Sequence, residues 1–214
     1  MSEFSFDTIN DFDNHISDSI FGYDVLHNLI VNLSSYFLNG KTIIVDIGCT
    51  SGKLLNSLVS KYNCKKSYGY DITDHNFIKS NSNLIKQDIT DINFNIPKND
   101  ACYSVFTLQF IEPLKRIELL KKIYESLNVG GFFVFCEKEY CKDGQINEMF
   151  TFVNYDYKKN KFSSEDILNK EKDLRKIMKP FNSNVNYALL VESGFTTIEP
   201  FFQSLNFKGY ICRK

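Results

Sequence analysis

Three carboxylates stand where short apolar runs give way to polar residues: Asp46, Asp71 and Asp88. The first run, Ile43-Ile-Val-Asp46, is followed at once by Ile-Gly48-Cys-Thr-Ser-Gly52 and then by Leu54, Leu55 and Leu58 at helical spacing. β-Branched apolar residues in sequence suit a strand covered on both faces, and Gly48 and Gly52 suit a tight turn in which backbone closely approaches a ligand. Strand, glycine turn and helix together form the nucleotide-binding corner of a doubly wound α/β sheet. A dinucleotide corner requires G-x-G-x-x-G, whose middle glycine lets backbone approach a pyrophosphate. Here that place is Thr50, and the turn reads D-x-G-x-x-x-G. An acid at such a turn repels phosphate and attracts a cation. S-adenosylmethionine (SAM), with an ammonium, a sulfonium and no phosphate, meets that demand, and Asp46 is placed to act on its ammonium side.

The other two acids extend the same reading. Lys66–Asp71 reads as a second strand, and a carboxylate about 20 residues past the glycines accepts ribose hydroxyls; Asp71 could also cap a following helix. Leu84–Asp88 reads as a third strand, with Asp88 accepting from an adenine amino group and Ile89 packing on the ring; a plain turn aspartate is the alternative. Each acid alone is weak, but three in order at successive strand ends form a constellation. Asp46, Gly48, Gly52, Asp71, Asp88 and Ile89 are the expected cofactor-binding residues on this reading, with Phe106 joining them from the next apolar run.

Positioning such a site takes an alternating α/β chain. Asp13–Asn39 carries apolar residues at helical period, interrupted at Gly22; Met1–Asn10 reads as loose. Asp100–Leu108 reads as a fourth strand, Pro113–Leu127 as an amphipathic helix stopped by Asn128-Val-Gly130-Gly131, and Phe132–Glu137 as a fifth strand. Residues 140–178 break the rhythm, polar and rich in lysine, and read as a helical insertion or cover. Asn186–Ser193 reads as a helix, and Phe195–Gln203 with Phe207–Arg213 as a terminal strand pair. The expectation is one Rossmann-like α/β domain over residues 1–214: a seven-stranded, mostly parallel sheet with the last strand antiparallel and helices on both faces.

The 214 residues allow one sizeable core, and a net charge of −1 supplies no bulk attraction to nucleic acid or anionic membrane. Residues 140–178 mix acids with their lysines, which suits a solvated helix face better than a basic groove. Direct nucleic-acid binding and membrane association are therefore not expected. The six cysteines form no CxxC pair and no zinc spacing, so no metal is expected; free thiols and the absence of a signal-peptide pattern point to the cytoplasm.

These residues resemble the class I SAM-dependent methyltransferase superfamily, and within it most nearly the carboxy-S-adenosylmethionine synthase family. The resemblance rests on Phe106-Thr-Leu-Gln-Phe-Ile-Glu-Pro113, Lys122-Ile-Tyr-Glu-Ser-Leu-Asn-Val-Gly-Gly131, Glu137-Lys138, Gly194-Phe195, Phe202-Gln-Ser-Leu-Asn-Phe207 and Ser19-Ile-Phe-Gly22-Tyr23. It implies a homodimer, a ligand of SAM or carboxy-SAM, and synthesis of carboxy-SAM from SAM and prephenate for tRNA wobble-uridine modification. Carried over by position, it implies ligand contacts from Tyr23, Gly48, Cys49, Thr50, Asp71, Ile72, Asp88 and Ile89, with Tyr23 closing over the sulfonium side or serving as a core tyrosine. Two places depart from the family pattern. Val105 stands where the family has Asn, and Glu171 where the family has an Arg that pairs with the extra carboxylate of carboxy-SAM. A glutamate repels a carboxylate; Lys170 or Lys172 could serve only as point charges.

Three readings follow: methyl transfer from SAM to a small-molecule or nucleotide acceptor, carboxy-SAM synthesis, and a SAM-binding module without catalysis. The first is preferred on Glu171. Glu137, at a strand end, and Tyr155, beside Tyr157 in the insertion, are the candidate acid–base residues on the acceptor side; a salt bridge to a lysine is the plainer reading of Glu137.

Overall fold

The structure is a computed structural model that describes residues 11–74 and 76–214; the loose segment expected at Met1–Asn10 lies outside the described residues. Seven strands form one sheet in the order β3-β2-β1-β4-β5-β7-β6. They are β1 (Ile43–Ile47), β2 (Lys66–Asp71), β3 (Asn83–Lys86), β4 (Asn99–Val105), β5 (Leu127–Lys138), β6 (Thr197–Ser204) and β7 (Phe207–Arg213). β1 to β5 pair in parallel, and β7, the last strand, runs antiparallel to both β5 and β6. The helices are α1 (Phe12–Ser19), α2 (Tyr23–Leu33), α3 (Lys53–Tyr62), α4 (Pro113–Ser126), α5 (Gly144–Lys158), α6 (Ser164–Ile177) and α7 (Ser183–Glu192). Among the described residues, no helix is long and apolar enough to cross a membrane.

The two-residue period of the strands divides the core between the faces. Val45, Ile47, Cys102, Phe133 and Phe135 point to one side, with Leu119, Leu120 and Ile123 of α4, Leu190 of α7, and Phe195. Ile44, Ala101, Tyr103, Phe132 and Val134 point to the other, with Leu26 and Ile30 of α2 and Leu54, Leu55 and Leu58 of α3. Burial on both faces is why β1, β4 and β5 read as continuous apolar runs rather than as alternation. Removing a buried leucine from α3, such as Leu58, costs about 2–5 kcal/mol by the usual penalty for a core cavity.

Several boundaries move. Gly22 separates α1 from α2 in a left-handed conformation (φ 87°), as its place in the helical period suggests. The third strand ends at Lys86, so Asp88 lies in the turn beyond it. The fourth strand ends at Val105, and Leu108–Phe110 is a turn of 3₁₀ helix. Asn128–Gly131 does not stop α4: Leu127 already leaves the helix in an extended conformation and opens β5, with Gly130 (φ 82°) inside that strand. α7 begins at Ser183, capped by Asn182, earlier than its apolar residues suggested. Residues 140–178 are helical, as α5 and α6, and are tied over the strand ends. Asn154 of α5 donates to Ser19 O, Tyr157 OH donates to Ser17 O, and the Phe21 ring meets Tyr157 edge-on.

Candidate functional site

A cavity of about 480 Å³ opens above the carboxyl ends of β1, β2 and β4, under α1, α2, α5 and α6. That is within the range of small-ligand pockets and at the place where open α/β sheets bind ligands. Tyr23, Asp46, Gly48, Cys49, Thr50, Asp71, Ile72, Asp88, Ile89 and Phe106 all line it. Gly52 does not; it adopts φ 82° as the residue preceding α3, and a Cβ there would collide with Leu84.

The turn after β1 explains which ligand fits. Gly48 (φ 77°) and Thr50 (φ 48°) are both left-handed. A Cβ on Gly48 would lie 2.2 Å from Thr107 Oγ1, so glycine there admits a protein side chain rather than a ligand. The N–H groups of Gly48 and Cys49 both donate to Tyr70 O, that of Gly52 to Cys49 O, and that of Thr50 to the Asp71 carboxylate. A phosphate cradle needs such groups turned toward the ligand; here four of them are spent on the protein. The corner presents carboxylates instead. Asp46 is buried, lines the cavity and accepts no hydrogen bond among the described residues. Burial, and then the Asp71 charge, push its carboxyl up to about 8. An unsolvated acid beside another acid is a site for a cation. Asp71 also accepts from Thr73 N, and among the described residues no helix lies between it and β3, so the capping alternative is not realised. Exposed Asp88 accepts from Thr90 N, with half-buried Ile89 beside it.

Tyr23 reaches the same cavity from α2, its ring 6.4 Å from that of Phe106, and its phenol is pushed up by burial and by Asp13, Asp46 and Asp24. Asp13 was not anticipated: from α1 it accepts from Ser51 Oγ at 2.9 and 3.0 Å and so ties the covering helix to the glycine turn. Its only sequence signal was an acid in a helix preceding the first strand.

Where α6 lines the cavity, the wall is ionic. Glu171 of α6 is buried and lies 3.6 Å from Lys138, 4.0 Å from Lys158 and 3.4 Å from Arg175. Those three cations outweigh its burial and hold its carboxyl below the ordinary value. Lys170 also lines the cavity, touches His15 Nε2, and is lowered by burial to about 8. Lys138, Lys158 and Glu171 therefore meet at one wall, although they come from β5, α5 and α6, and Val105 of β4 lines the same cavity.

Glu137 and Tyr155 do not line the cavity. Glu137 accepts from Leu108 N at 2.9 Å and Gln109 N at 2.7 Å, so its role is to hold the Thr107–Phe110 segment, not to pair with a lysine; burial raises it to about 8 against those bonds. Buried Arg116 completes the clamp, donating to Ile111 O, Gln109 O and Lys179 O and stacking on Phe181. Tyr155 packs edge-on against Phe152 and under Lys158. Among the described residues, no cluster of His, Cys, Asp or Glu is arranged to hold a metal, and the six cysteines are free thiols.

Residues 45–135 match the family described as "Methyltransferase domain". The carboxy-S-adenosyl-L-methionine synthase of Campylobacter lari is 31% identical over 99% of this chain and 94% of its own length. That of Staphylococcus epidermidis is 28% identical over 97% and 94%. A SAM-dependent methyltransferase structure from Archaeoglobus fulgidus superimposes with a TM-score of 0.61 at 14% identity, covering 88% of this chain and 94% of that one, a likeness of fold.

Proposed function

The chain belongs to the carboxy-S-adenosyl-L-methionine synthase family within the class I SAM-dependent methyltransferase superfamily and is a SAM-dependent transferase, and we propose that it transfers the SAM methyl group to a small-molecule or nucleotide acceptor. The supporting observation is Glu171. At the wall where an added carboxylate on the ligand would need a bidentate cation, this chain carries an anion that occupies Lys138, Lys158 and Arg175. A carboxylate brought there must compete with Glu171 for those cations, whereas a neutral methyl group need not.

Bound SAM supplies a methyl carbon on a sulfonium leaving group. The protein's part is position and dryness. In this reading Asp46 meets the ammonium, Asp71 the ribose hydroxyls, and Asp88 with Ile89 the adenine. Tyr23 and Phe106 wall the sulfonium side, and α1, α5 and α6 exclude water. Holding a nucleophile in line at such a site supplies up to about 7–11 kcal/mol of the barrier. The acceptor approaches past Gln109, Lys138 and Lys170, of which burial lowers Lys170 to about 8, nearer the range of an acid–base group.

The curated relatives support a second reading, carboxy-SAM synthesis from SAM and prephenate, because two of them match over nearly the whole chain. Mass spectrometry of the ligand carried by the purified protein, and of products formed from SAM with and without prephenate, separates the two. Methyl transfer predicts SAM or its demethylated product and no prephenate dependence. Recovery of carboxy-SAM, or its formation from prephenate, overturns the preferred reading.

A further inference from the structure

Of the three buried side-chain polar atoms without a hydrogen-bond partner among the described residues, one belongs to a residue that lines the cavity: Nε2 of His27, on α2. Buried polar atoms in folded proteins are almost always bonded, so such an atom asks for a partner that the polypeptide does not supply. The other two, Asn99 Oδ1 and Ser104 Oγ, belong to residues that do not line the cavity. Lys53, at the start of α3, lines the same cavity, is half-buried, and forms no ion pair among the described residues. The two are neighbours in charge: burial lowers the His27 imidazole, Lys53 lowers it further, and Asp13 and Asp24 act against that. Both acids are already engaged by hydroxyls, Asp13 by Ser51 and Asp24 by Ser17. Two donors thus remain in one region with no anion committed to them.

The sheet order says which part of SAM lies there. Asp88 follows β3, Asp71 ends β2 and Asp46 sits in β1, and those strands are consecutive neighbours. A ligand with adenine over β3 and ribose over β2 carries its amino-acid portion over β1, toward α2 and the start of α3. On an amino acid the ammonium and carboxylate share one carbon, so an anionic slot for the first requires a cationic slot beside it. Asp13 marks that adjacency: it acts on Tyr23, which also feels Asp46, and on His27, which also feels Lys53.

We propose that His27 and Lys53 form the subsite for the carboxylate of SAM, with Lys53 as the charge and the Nε2–H of neutral His27 as the directed donor. Sequence reading passed over both, because a histidine within a helical apolar stripe and a lysine at a helix start are ordinary. The inference rests on SAM occupying the cavity but holds for methyl transfer and carboxy-SAM synthesis alike. It makes the subsite selective for the intact amino acid over analogues that lack only the carboxylate.

The test is calorimetric binding of SAM and of decarboxylated SAM, which keeps the sulfonium and the amine, to the full chain and to His27→Leu and Lys53→Ala. The wild type is expected to bind SAM about tenfold or more tightly than decarboxylated SAM, the scale of one charge-assisted hydrogen bond. Each substitution should shrink that ratio at least about threefold, and the double substitution should bring it near one. Binding of decarboxylated SAM should stay within about twofold throughout, which also shows that the variants are folded. An unchanged ratio in the variants, equal weakening of both ligands, or a wild type indifferent to the carboxylate overturns the subsite. A wild type that binds neither ligand overturns the SAM assignment itself, whereas carboxy-SAM production with an intact ratio refutes only the methyl-transfer reading.

Discussion

The pH dependence of SAM affinity should report Asp46. In the SAM-free protein its carboxyl titrates at about 8, because burial and the Asp71 charge disfavour the anion. A ligand ammonium in that slot attracts the anion and so acts against both effects, lowering the group on binding. The sign follows from linkage: binding favours the deprotonated acid, so affinity rises with pH below 8 and one proton leaves with each ligand bound. From pH 5.5 to 7.5 the deprotonated fraction, and with it the affinity, grows roughly seventyfold, about 2.5 kcal/mol at 1.36 kcal/mol per unit. The ligand's own α-amino group has its midpoint near about 7.7 and has lost about 40% of its protons by pH 7.5, which trims the rise to roughly fiftyfold. The other groups facing Asp46 remain neutral across it: burial raises Tyr23, Cys49, Cys102 and Tyr103. Protonation of His27 at the acid end would favour the ligand carboxylate and so works against the predicted slope. Calorimetry in two buffers of different ionisation enthalpy measures affinity and proton release together. Asp46→Asn should bind about as weakly as the wild type at pH 5.5 and show little slope. A wild-type affinity flat within about twofold over the window, or an Asn variant that matches wild type at pH 7.5, would refute the argument.

Replacing Glu171 by Gln leaves Lys138, Lys158 and Arg175 facing one another without an anion; by the cost of breaking a buried pair, the loss is about 3 kcal/mol, read as a lower denaturation midpoint at pH 7. Because the folded-state value of Glu171 is depressed, its stabilisation is present above its unfolded value and disappears as the pH falls through the folded one. The difference between wild type and variant should therefore narrow in acid, and a constant difference down to pH 3 would contradict the ion-pair account. Gly48→Ala must place a methyl 2.2 Å from Thr107 Oγ1 at φ 77°, so SAM binding should be lost or the protein destabilised by several kcal/mol. Adding Thr107→Ser should not rescue it, since Oγ1 is retained, whereas Thr107→Gly should recover part of the loss; thermal melts with and without SAM distinguish these outcomes.

The cavity wall that carries Asp46, Asp71 and Asp88 was legible because one-dimensional signals determine it. Buried parallel strands are continuous apolar runs, and the residue that ends each run lies at the carboxyl edge of the sheet. Asp46, Asp71 and Asp88 could therefore be picked out in order, even though Asp88 proved to lie two residues beyond its strand. Boundary errors came from competing meanings of the same residue. Gly130-Gly131 reads as a helix stop, yet the chain needed that freedom within β5, where a Cβ on Gly131 would meet Asp100 O at 2.9 Å. Glu137 illustrates a different limit. A glutamate at a strand end has the same sequence signature whether it faces the ligand or, as here, turns under the neighbouring loop to accept two N–H bonds.

The acceptor end was legible only as an oddity at Glu171, because its meaning depends on partners from three separate elements. Lys138 ends β5 and Lys158 closes α5, and nothing in their spacing announces that they converge on a carboxylate of α6; Arg175, at i, i+4 from Glu171, is the one partner the helical spacing shows. Read alone, a glutamate in place of an arginine reverses the charge of that wall. Read with its partners, it converts one fixed guanidinium into an anion already surrounded by cations. The wall thus keeps positive charge nearby while denying a ligand carboxylate a free fork to bind. On the proposed reading, affinity for SAM rests on carboxylates that the backbone fixes at or just beyond successive strand ends. On the same reading, the choice of reaction rests on a cluster of charges held by two helices and a strand end, which one substitution can rebalance without touching Asp46, Asp71 or Asp88. A chain can for that reason match carboxy-SAM synthases along nearly its whole length while presenting a different electrostatic surface to whatever meets the sulfonium.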